Sequence, residues 1–242
     1  MNKNKTNKLF LAIIGLMLVS AVFLSGCGSA TTNNTANKNA ATNNSASNFQ
    51  ETYAKAPSGA VPAYYKGGQA ANVIIEEFAD YQCPTCAVMH PVMQQIQAAY
   101  GDRVKIVFRN FPLRTIHPKA YEAAVAVEAA GLQGKFWEMQ ALIFNNQQAW
   151  APNSSDHRKL FEDYAQKIGI DVEQFKNDMA GVAAKQRVDK DIERGNALGI
   201  NSTPTFFLNG KPVNYEDTEF NRFRQLIDAE LLKVQQPQQQ AK

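Results

Sequence analysis

Phe78-Ala-Asp-Tyr-Gln-Cys-Pro-Thr-Cys86 is the stretch of this 242-residue chain that decides its fold. It follows an apolar, β-branched run over 72–79 that predicts a buried strand, and it opens a helical pattern. A second strand is predicted over 104–109, so strand, helix and strand form a βαβ unit with a parallel pair. Cys83 and Cys86 have helical spacing i and i+3 on one face, where their sulfurs can close and reopen a small disulfide ring.

The rest of the pattern predicts one domain over 69–234, an ordinary size for a single core. A helical pattern over 117–198, interrupted by breaks rich in Gly, Pro and Ser, has room for roughly three to five helices. The segment 205–213 predicts a hairpin around an Asn-Gly turn, and a last amphipathic helix is predicted over 216–234. The predicted order is therefore βαβ, a helical block, then ββα.

The amino-terminal segment over 1–26 is typical of a secretory signal peptide. It carries three lysines and then an uncharged run over 9–24. The alternative is a retained membrane-spanning helix, but the run is shorter than the roughly 20 apolar residues that cross a bilayer. The four residues over 24–27 resemble the lipobox of bacterial lipoproteins, which implies that Cys27 is lipidated and becomes the mature amino terminus.

The residues that flank the predicted domain differ from it in composition. The segment 27–68 is predicted as a lipid-anchored linker, and its part over 28–48 is almost entirely Ser, Thr, Asn, Ala and Gly, a composition that favours a disordered tether. A Gln-rich tail over 235–242 is also predicted to be disordered. Within the linker, the part over 49–68 is transitional, and four of its side chains are expected to dock on the domain: Tyr53, Val61, Tyr64 and Tyr65.

The charge pattern and the cysteine count exclude several classes of function. Removal of the signal segment would take the formal net charge of +3 to zero. We find no basic stripe that indicates nucleic-acid binding and no basic cluster for lipid headgroups. Three cysteines in an exported protein would leave one odd thiol, whereas a lipidated Cys27 leaves a single redox pair.

The position of the cysteine pair predicts its chemistry. Cys83 is at the start of a helix, where free backbone N–H groups and the helix dipole favour a thiolate, so we expect Cys83 to be the nucleophile in disulfide exchange. Cys86, one turn later and more buried, would resolve the mixed disulfide. The alternatives are half of a zinc site, which needs four ligands while no histidines have paired spacing, and a static disulfide, whose small loop removes little chain entropy.

Three segments together resemble the DsbA-like branch of the thioredoxin superfamily: 78–86, Arg109-Asn-Phe-Pro-Leu113 and Gly199-Ile-Asn-Ser-Thr-Pro-Thr-Phe-Phe-Leu-Asn-Gly210. The resemblance implies an α/β thioredoxin-like fold that is split by a helical insertion over about 115–198. It also implies that Pro204 is cis and faces the cysteines. Thr203 and Pro204 would then shape the substrate groove, with the Thr203 backbone offered to an extended peptide, and their alternative is an ordinary turn before a strand. Pro84 and Thr85, between the cysteines, would set part of the redox balance.

Glu77 lies six residues before Cys83, where relatives place a buried acid beneath the disulfide. A carboxylate there could move the proton of Cys86 through water. Adjacent strand residues point to opposite faces, so Glu76 must face solvent or be paired, and a structural salt bridge is the alternative for Glu77 itself. His90 is interpreted as a solvated surface histidine.

These features predict an extracytoplasmic thiol–disulfide oxidoreductase that exchanges its Cys83–Cys86 disulfide with cysteines of exported proteins. It would be lipid-anchored to a membrane of a bacterial cell envelope, and a membrane or thiol redox partner would recycle it. No metal, nucleotide or flavin cofactor is implied. The oxidising compartment favours a disulfide donor, and the alternatives are a reductase or isomerase. A further alternative is an envelope carrier that binds metal through Cys83 and Cys86.

Overall fold

A computed structural model of the chain describes residues 48–152 and 156–240, with 235–240 as backbone only. The predicted signal peptide over 1–26, the lipidated Cys27 and nearly all of the tether over 28–48 lie outside the described residues. Within the described part, no helix combines the length and the apolar character that crossing a bilayer requires.

The described chain alternates between short strands and helices in an α/β order. In chain order the elements are α1 (48–55), β1 (Tyr65–Gly67), β2 (Val73–Ala79), α2 (Pro84–Tyr100), β3 (Val104–Asn110), α3 (Ala120–Leu132), α4 (Phe136–Asn145), α5 (Gln147–Trp150), α6 (His157–Lys167), α7 (Val172–Ala180), α8 (Ala183–Ala197), β4 (Thr205–Leu208), β5 (Lys211–Val213) and α9 (Phe220–Gln240).

The five strands form one sheet with the order β1-β3-β2-β4-β5. Strands β2 and β3 are parallel and the other pairs are antiparallel, and Glu77 in the central β2 lies between Phe108 of β3 and Phe206 of β4. The predicted βαβ unit, the helical insertion and the ββα unit are therefore confirmed. The insertion contains α5 in addition to five longer helices, and this single turn is too short to show helical periodicity.

Residues of the sequence account for both ends of helix α2. Pro84 is the first helical residue, where its missing N–H is not needed and its fixed φ suits a helix. The helix ends at Gly101, whose φ of +53° suits glycine. Because Cys83 immediately precedes α2, these boundaries place its sulfur at the amino-terminal end of the helix.

Of the three apolar cores among the described residues, two pack against α2 or the cysteines. One lies between the sheet, α2 and α9 and includes Ile75, Ile96 and Phe223, all fully buried. The other fills the insertion around Trp150 and reaches the two cysteines. The loop over 80–83 that joins β2 to α2, called the cysteine loop below, therefore packs against the core of the insertion.

The folded part begins before Gln69, the predicted start of the domain. Tyr53 of α1 donates a hydrogen bond to Glu76 (2.7 Å), Tyr64 stacks on Phe136, and β1 pairs with β3. The expected docking of Val61 is wrong, because its side chain is 69% exposed. A three-residue edge strand shows too little alternation to be recognised in a sequence.

The carboxyl-terminal tail also differs from its prediction. Helix α9 continues to Gln240, through most of the segment 235–242 that was predicted to be disordered. Five of the six residues over 235–240 are glutamine, whose favourable helix propensity extends a helix that is already formed, although Pro237 removes one backbone hydrogen bond.

Candidate active site

The two cysteines are reduced and buried at the start of α2. Cys83 is the residue that precedes the helix, with extended backbone angles, and Cys86 lies in the first turn. Cys83 is 6% exposed and Cys86 is fully buried. The predicted difference in burial is present, and a partner sulfur can approach Cys83 more easily than Cys86.

The two thiols differ strongly in acidity. A hydrogen bond from the Cys86 side chain, aided by the backbone N–H groups of Cys86 and Thr85, lowers the pKa of the Cys83 thiol to about 5 against the opposing effect of burial. Burial, together with the hydrogen bond to Cys83 and its charge, raises the pKa of Cys86 well above its ordinary value. At neutral pH this places a thiolate on Cys83 and a neutral thiol on Cys86.

The loop before β4 closes one side of the site. The Thr203–Pro204 peptide bond is cis, as the resemblance implied. The Cys83 sulfur lies 3.4 Å from the Thr203 carbonyl oxygen, to which its thiol form donates a hydrogen bond, so this loop and the cysteine meet directly. Thr203 and Pro204 are half-buried, while Pro84 is exposed and Thr85 is half-buried at the start of the helix. Thr203 therefore lies directly against Cys83, and Pro84 and Thr85 follow Cys83 in the chain.

Asp80 organises the loop that carries the cysteines, a role that the sequence analysis missed. It is fully buried, and its Oδ1 atom accepts hydrogen bonds from the backbone N–H groups of Gln82 (2.7 Å) and Cys83 (3.2 Å). Its own N–H donates to the Cys86 sulfur (3.5 Å). The available signal was the position of Asp80 three residues before Cys83, the residue that precedes the helix, because such residues commonly accept backbone hydrogen bonds.

The helical insertion supports the same loop through Gln147. This side chain from α5 is buried, and its amide donates to the carbonyl oxygens of Tyr81 (2.8 Å) and Cys83 (2.9 Å). The Cys83 carbonyl also accepts from the Ala87 N–H in the first turn of α2 (3.2 Å), so Gln147 gives it a second donor and gives the Tyr81 carbonyl a donor from the insertion.

Glu77 faces a small cavity behind α2. The cavity has a volume of about 30 Å³, roughly that of one water molecule, and Lys66, His90 and Gln140 also line it. Burial raises the pKa of the Glu77 carboxyl to about 8, against the attraction of Lys66. His90 is buried, not solvated as expected, and it stacks on Phe144. Helix α4 covers it, a contact that its own sequence neighbours do not indicate.

Glu76 occupies the opposite face of β2 and is paired. Its carboxylate accepts hydrogen bonds from Arg109 (2.7 Å), from two nitrogens of Arg194 (2.8 Å each) and from Tyr53 (2.7 Å). The salt bridge that was an alternative for Glu77 therefore belongs to Glu76. Of the two acids, Glu77 alone lines the cavity behind α2.

The described residues contain no cluster of metal ligands, and a further cavity lies away from the cysteines. No group of three or more His, Cys, Asp or Glu side chains there could hold a metal ion. A cavity of about 540 Å³ opens in the helical insertion, and none of the predicted site residues lines it.

The fold and the site together define a class of protein. A central βαβ unit, a cysteine pair at a helix start and a cis-proline loop against the first cysteine are the features of a DsbA-like thiol–disulfide oxidoreductase. The chain belongs to the thioredoxin family, which matches residues 60–229.

Solved structures support this fold. BdbD from Bacillus subtilis, in its oxidised form, is 26% identical, with a TM-score of 0.60 over 73% of this chain and 98% of that chain. Alpha-DsbA1 from Wolbachia pipientis is 22% identical, with a TM-score of 0.62 over 75% of this chain and 96% of that one.

Among curated proteins, Na(+)/H(+) antiporter NhaA 1 of Mycolicibacterium gilvum is 38% identical over 150 residues, which are 61% of this chain and 23% of the antiporter. This chain thus matches about a quarter of the length of that relative. The similarity concerns that quarter of the antiporter.

Proposed function

We propose that this protein is a lipid-anchored extracytoplasmic enzyme that donates its Cys83–Cys86 disulfide to cysteines of exported proteins. The observation that carries the proposal is the contrast in acidity between the two thiols, with the pKa of Cys83 lowered to about 5 and that of Cys86 raised. A stabilised Cys83 thiolate stabilises the reduced protein, and a couple whose reduced form is stabilised is a strong oxidant.

The exchange proceeds in two displacements. A substrate thiolate attacks the Cys83 sulfur, the bond between the two enzyme sulfurs breaks, and Cys86 leaves with the electron pair and takes up a proton. A second substrate thiolate then attacks the first substrate sulfur, and Cys83 leaves as a thiolate. The substrate gains a disulfide and the enzyme gains two electrons. A membrane or thiol redox partner removes these electrons and restores the disulfide.

The acidity of Cys83 suits its role as a leaving group, and that of Cys86 does not. Cys83 has the low pKa of a good leaving group in the second step, which releases product. Cys86 is a poor thiolate, so the first step needs an acid nearby. Glu77 is the proposed acid: it is buried, faces the cavity behind α2, and has a pKa of about 8, so it carries a proton at neutral pH.

The substrate is an extended peptide with a free cysteine. The residues assigned to its groove are Thr203, Pro204, Pro84 and Thr85, because Thr203 contacts Cys83 and all four are half-buried or exposed, and the Thr203 backbone is the proposed pairing edge. The signal-like segment over 1–26 and the lipobox-like residues ending at Cys27 support export and anchoring to a bacterial membrane. An oxidising compartment agrees with disulfide donation.

A redox titration of the purified protein tests the direction. We expect a reversible two-electron couple that remains reduced in mildly oxidising glutathione buffers. A couple that stays oxidised until the buffer is strongly reducing would contradict the donor assignment and indicate a reductase. Bound metal is assayed in parallel, because stoichiometric metal without a couple would favour the carrier that uses Cys83 and Cys86.

Trapping tests the exchange itself. In Cys86→Ser, Cys83 can still attack a substrate disulfide, but no second thiol can resolve the product. We expect mixed disulfides between this variant and exported proteins on a non-reducing gel, and none from Cys83→Ser. Equal adducts from both variants would mean that Cys83 is not the attacking residue.

A further inference from the structure

Two of the four hydrogen bonds to the Asp80 carboxylate come from outside the cysteine loop. Besides Gln82 and Cys83, its donors are the backbone N–H of Leu113 (2.7 Å) and the ring Nδ1 of His117 (2.8 Å), both to Oδ2. Asp80 is fully buried, so no solvent competes for these bonds. One oxygen thus holds the cysteine loop, and the other holds the segment after β3.

His117 is held in place from both sides. Its backbone N–H donates to the Leu113 carbonyl (2.9 Å), and its carbonyl accepts from Ala120 at the start of α3 (3.1 Å). An ionised carboxylate can only accept, so the ring nitrogen that faces Asp80 must carry the hydrogen. The imidazole is therefore fixed as a donor to Asp80 by the carboxylate itself.

We propose that His117 is a positioning residue for the exchange reaction, acting through Asp80 to set the reactivity of Cys83. The proposal rests on the proposed function. The Cys83 N–H bonds the Oδ1 atom of Asp80, and His117 contacts Oδ2 of the same carboxylate. Cys83 and His117 therefore interact with one negative charge. The imidazole N–H draws that charge away from the cysteine.

The consequence follows from like-charge repulsion. Without the His117 donor, more of the carboxylate charge faces Cys83, and a thiolate is less favourable beside it. A less favoured thiolate destabilises the reduced form, so the Cys83–Cys86 couple becomes a weaker oxidant. His117 would thereby adjust the reaction without contact with the substrate.

The test compares three His117 variants with a matched histidine. His117→Ala and His117→Phe remove the N–H donor, and the second preserves most of the ring volume. His117→Asn keeps an N–H group on a short side chain. The control is His157→Ala, because His157 also bonds a carboxylate, that of Glu122 (2.6 Å), and its side chain is 18% exposed against 17% for His117.

Two quantities are measured in full-length protein: the equilibrium constant with glutathione and the pH midpoint of Cys83 thiolate absorbance. We expect His117→Ala and His117→Phe to shift the equilibrium about threefold to tenfold toward the disulfide and to raise the midpoint. His117→Asn keeps a donor, so its shift is expected to be at most half of theirs on a logarithmic scale. His157→Ala is expected to match the wild type.

The outcomes separate the two proposals. If the wild type has a reversible couple and neither His117→Ala nor His117→Phe changes its equilibrium constant with glutathione by more than twofold, the role of His117 is overturned. The proposed function then remains intact. An equal shift in His157→Ala would also overturn it, because the effect would then be a general result of histidine loss. A wild-type protein without a reversible couple would overturn both. Where His117→Ala does not fold, His117→Phe and His117→Asn decide.

Discussion

The hydrogen bond between the two cysteines makes the acidity of Cys83 depend on the side chain at position 86. The Cys86 side chain is the largest contribution to the lowered pKa of Cys83, ahead of the backbone N–H groups of α2. In Cys86→Ala this donor is lost, and we expect the pKa of Cys83 to rise by about 1 to 2 pH units. In Cys86→Ser an O–H donor remains, so the rise should be smaller. Thiolate absorbance against pH measures both, and identical midpoints in the two variants would contradict the dependence.

Glu77 contributes a pH dependence to stability that its amide analogue lacks. Burial raises its carboxyl pKa from the ordinary 4.5 to about 8. The unfolded chain releases this proton earlier than the folded protein, so the folded state loses stability as pH rises between those two values. As pH rises across this range, we expect the free energy of unfolding of Glu77→Gln to increase by about 2 to 4 kcal/mol relative to that of the wild type. Denaturant unfolding of the disulfide form measures it, since the cysteines do not titrate there.

The control for Glu77→Gln is Glu173→Gln, because the Glu173 side chain is 79% exposed in its pair with Lys176. The stability difference between Glu173→Gln and the wild type should be nearly constant over the same range of pH. If Glu77→Gln behaved in the same way, Glu77 would not be the buried acid that the proposed proton transfer requires.

The choice between the two acids shows what a strand pattern can predict. Alternation in β2 predicts that Glu76 and Glu77 face opposite sides, and this is confirmed. Alternation does not show which side carries arginines, because Arg194 comes from α8, more than a hundred residues later in the chain. The pairing of Glu76 could therefore be stated only as one of two possibilities.

At the scale of elements, α5 is a single helical turn that the cysteine loop depends on. Gln147→Ala would leave the Tyr81 carbonyl without its amide donor in a buried site, while the Cys83 carbonyl would keep its bond from the Ala87 N–H. We expect a loss of about 1 to 3 kcal/mol in the free energy of unfolding. Gln148→Ala is the matched control, because Gln148 is the next residue of the same turn and is exposed. Equal losses in the two variants would assign the effect to helix propensity.

Elements that are bounded by proline, glycine or an Asn-Gly turn were predictable from the sequence. Elements that depend on contacts with residues far away in the chain were not. The bounds of α2 follow from Pro84 and Gly101, and the β4–β5 turn follows from Asn209-Gly210, both of which have positive φ. The role of Gln147 rests on hydrogen bonds to a loop far away in sequence, which leave no periodic signal. Helix α1 was missed because its packing against Phe207 is visible only when the sheet is assembled.

At the scale of the whole molecule, the Glu76 carboxylate joins four parts of the chain. Tyr53 belongs to α1, Arg109 to β3, Arg194 to α8, and Glu76 itself to the central strand β2. Arg109 continues the network to Asp191 of α8 (3.1 Å). The insertion and the segment before the sheet are thus attached to the strand that leads into the cysteine loop.

Removal of the Glu76 charge would leave two guanidinium groups buried without their shared counter-ion. A buried ion pair that loses one partner destabilises a fold by about 3 to 5 kcal/mol, so we expect Glu76→Gln to fall in this range. Glu122→Gln is the control, since the pairs of Glu122 with His157 and Arg158 are partly exposed and should contribute less than about 1 kcal/mol.

Hydrogen bonding and the two arginines hold the Glu76 pKa below its ordinary value despite burial. Its stabilisation should therefore disappear as pH falls through that lowered value, and the gap between wild type and Glu76→Gln should close in acid. A gap that is unchanged from neutral to strongly acidic pH would show that the network holds the molecule together by packing, without a contribution from its charges.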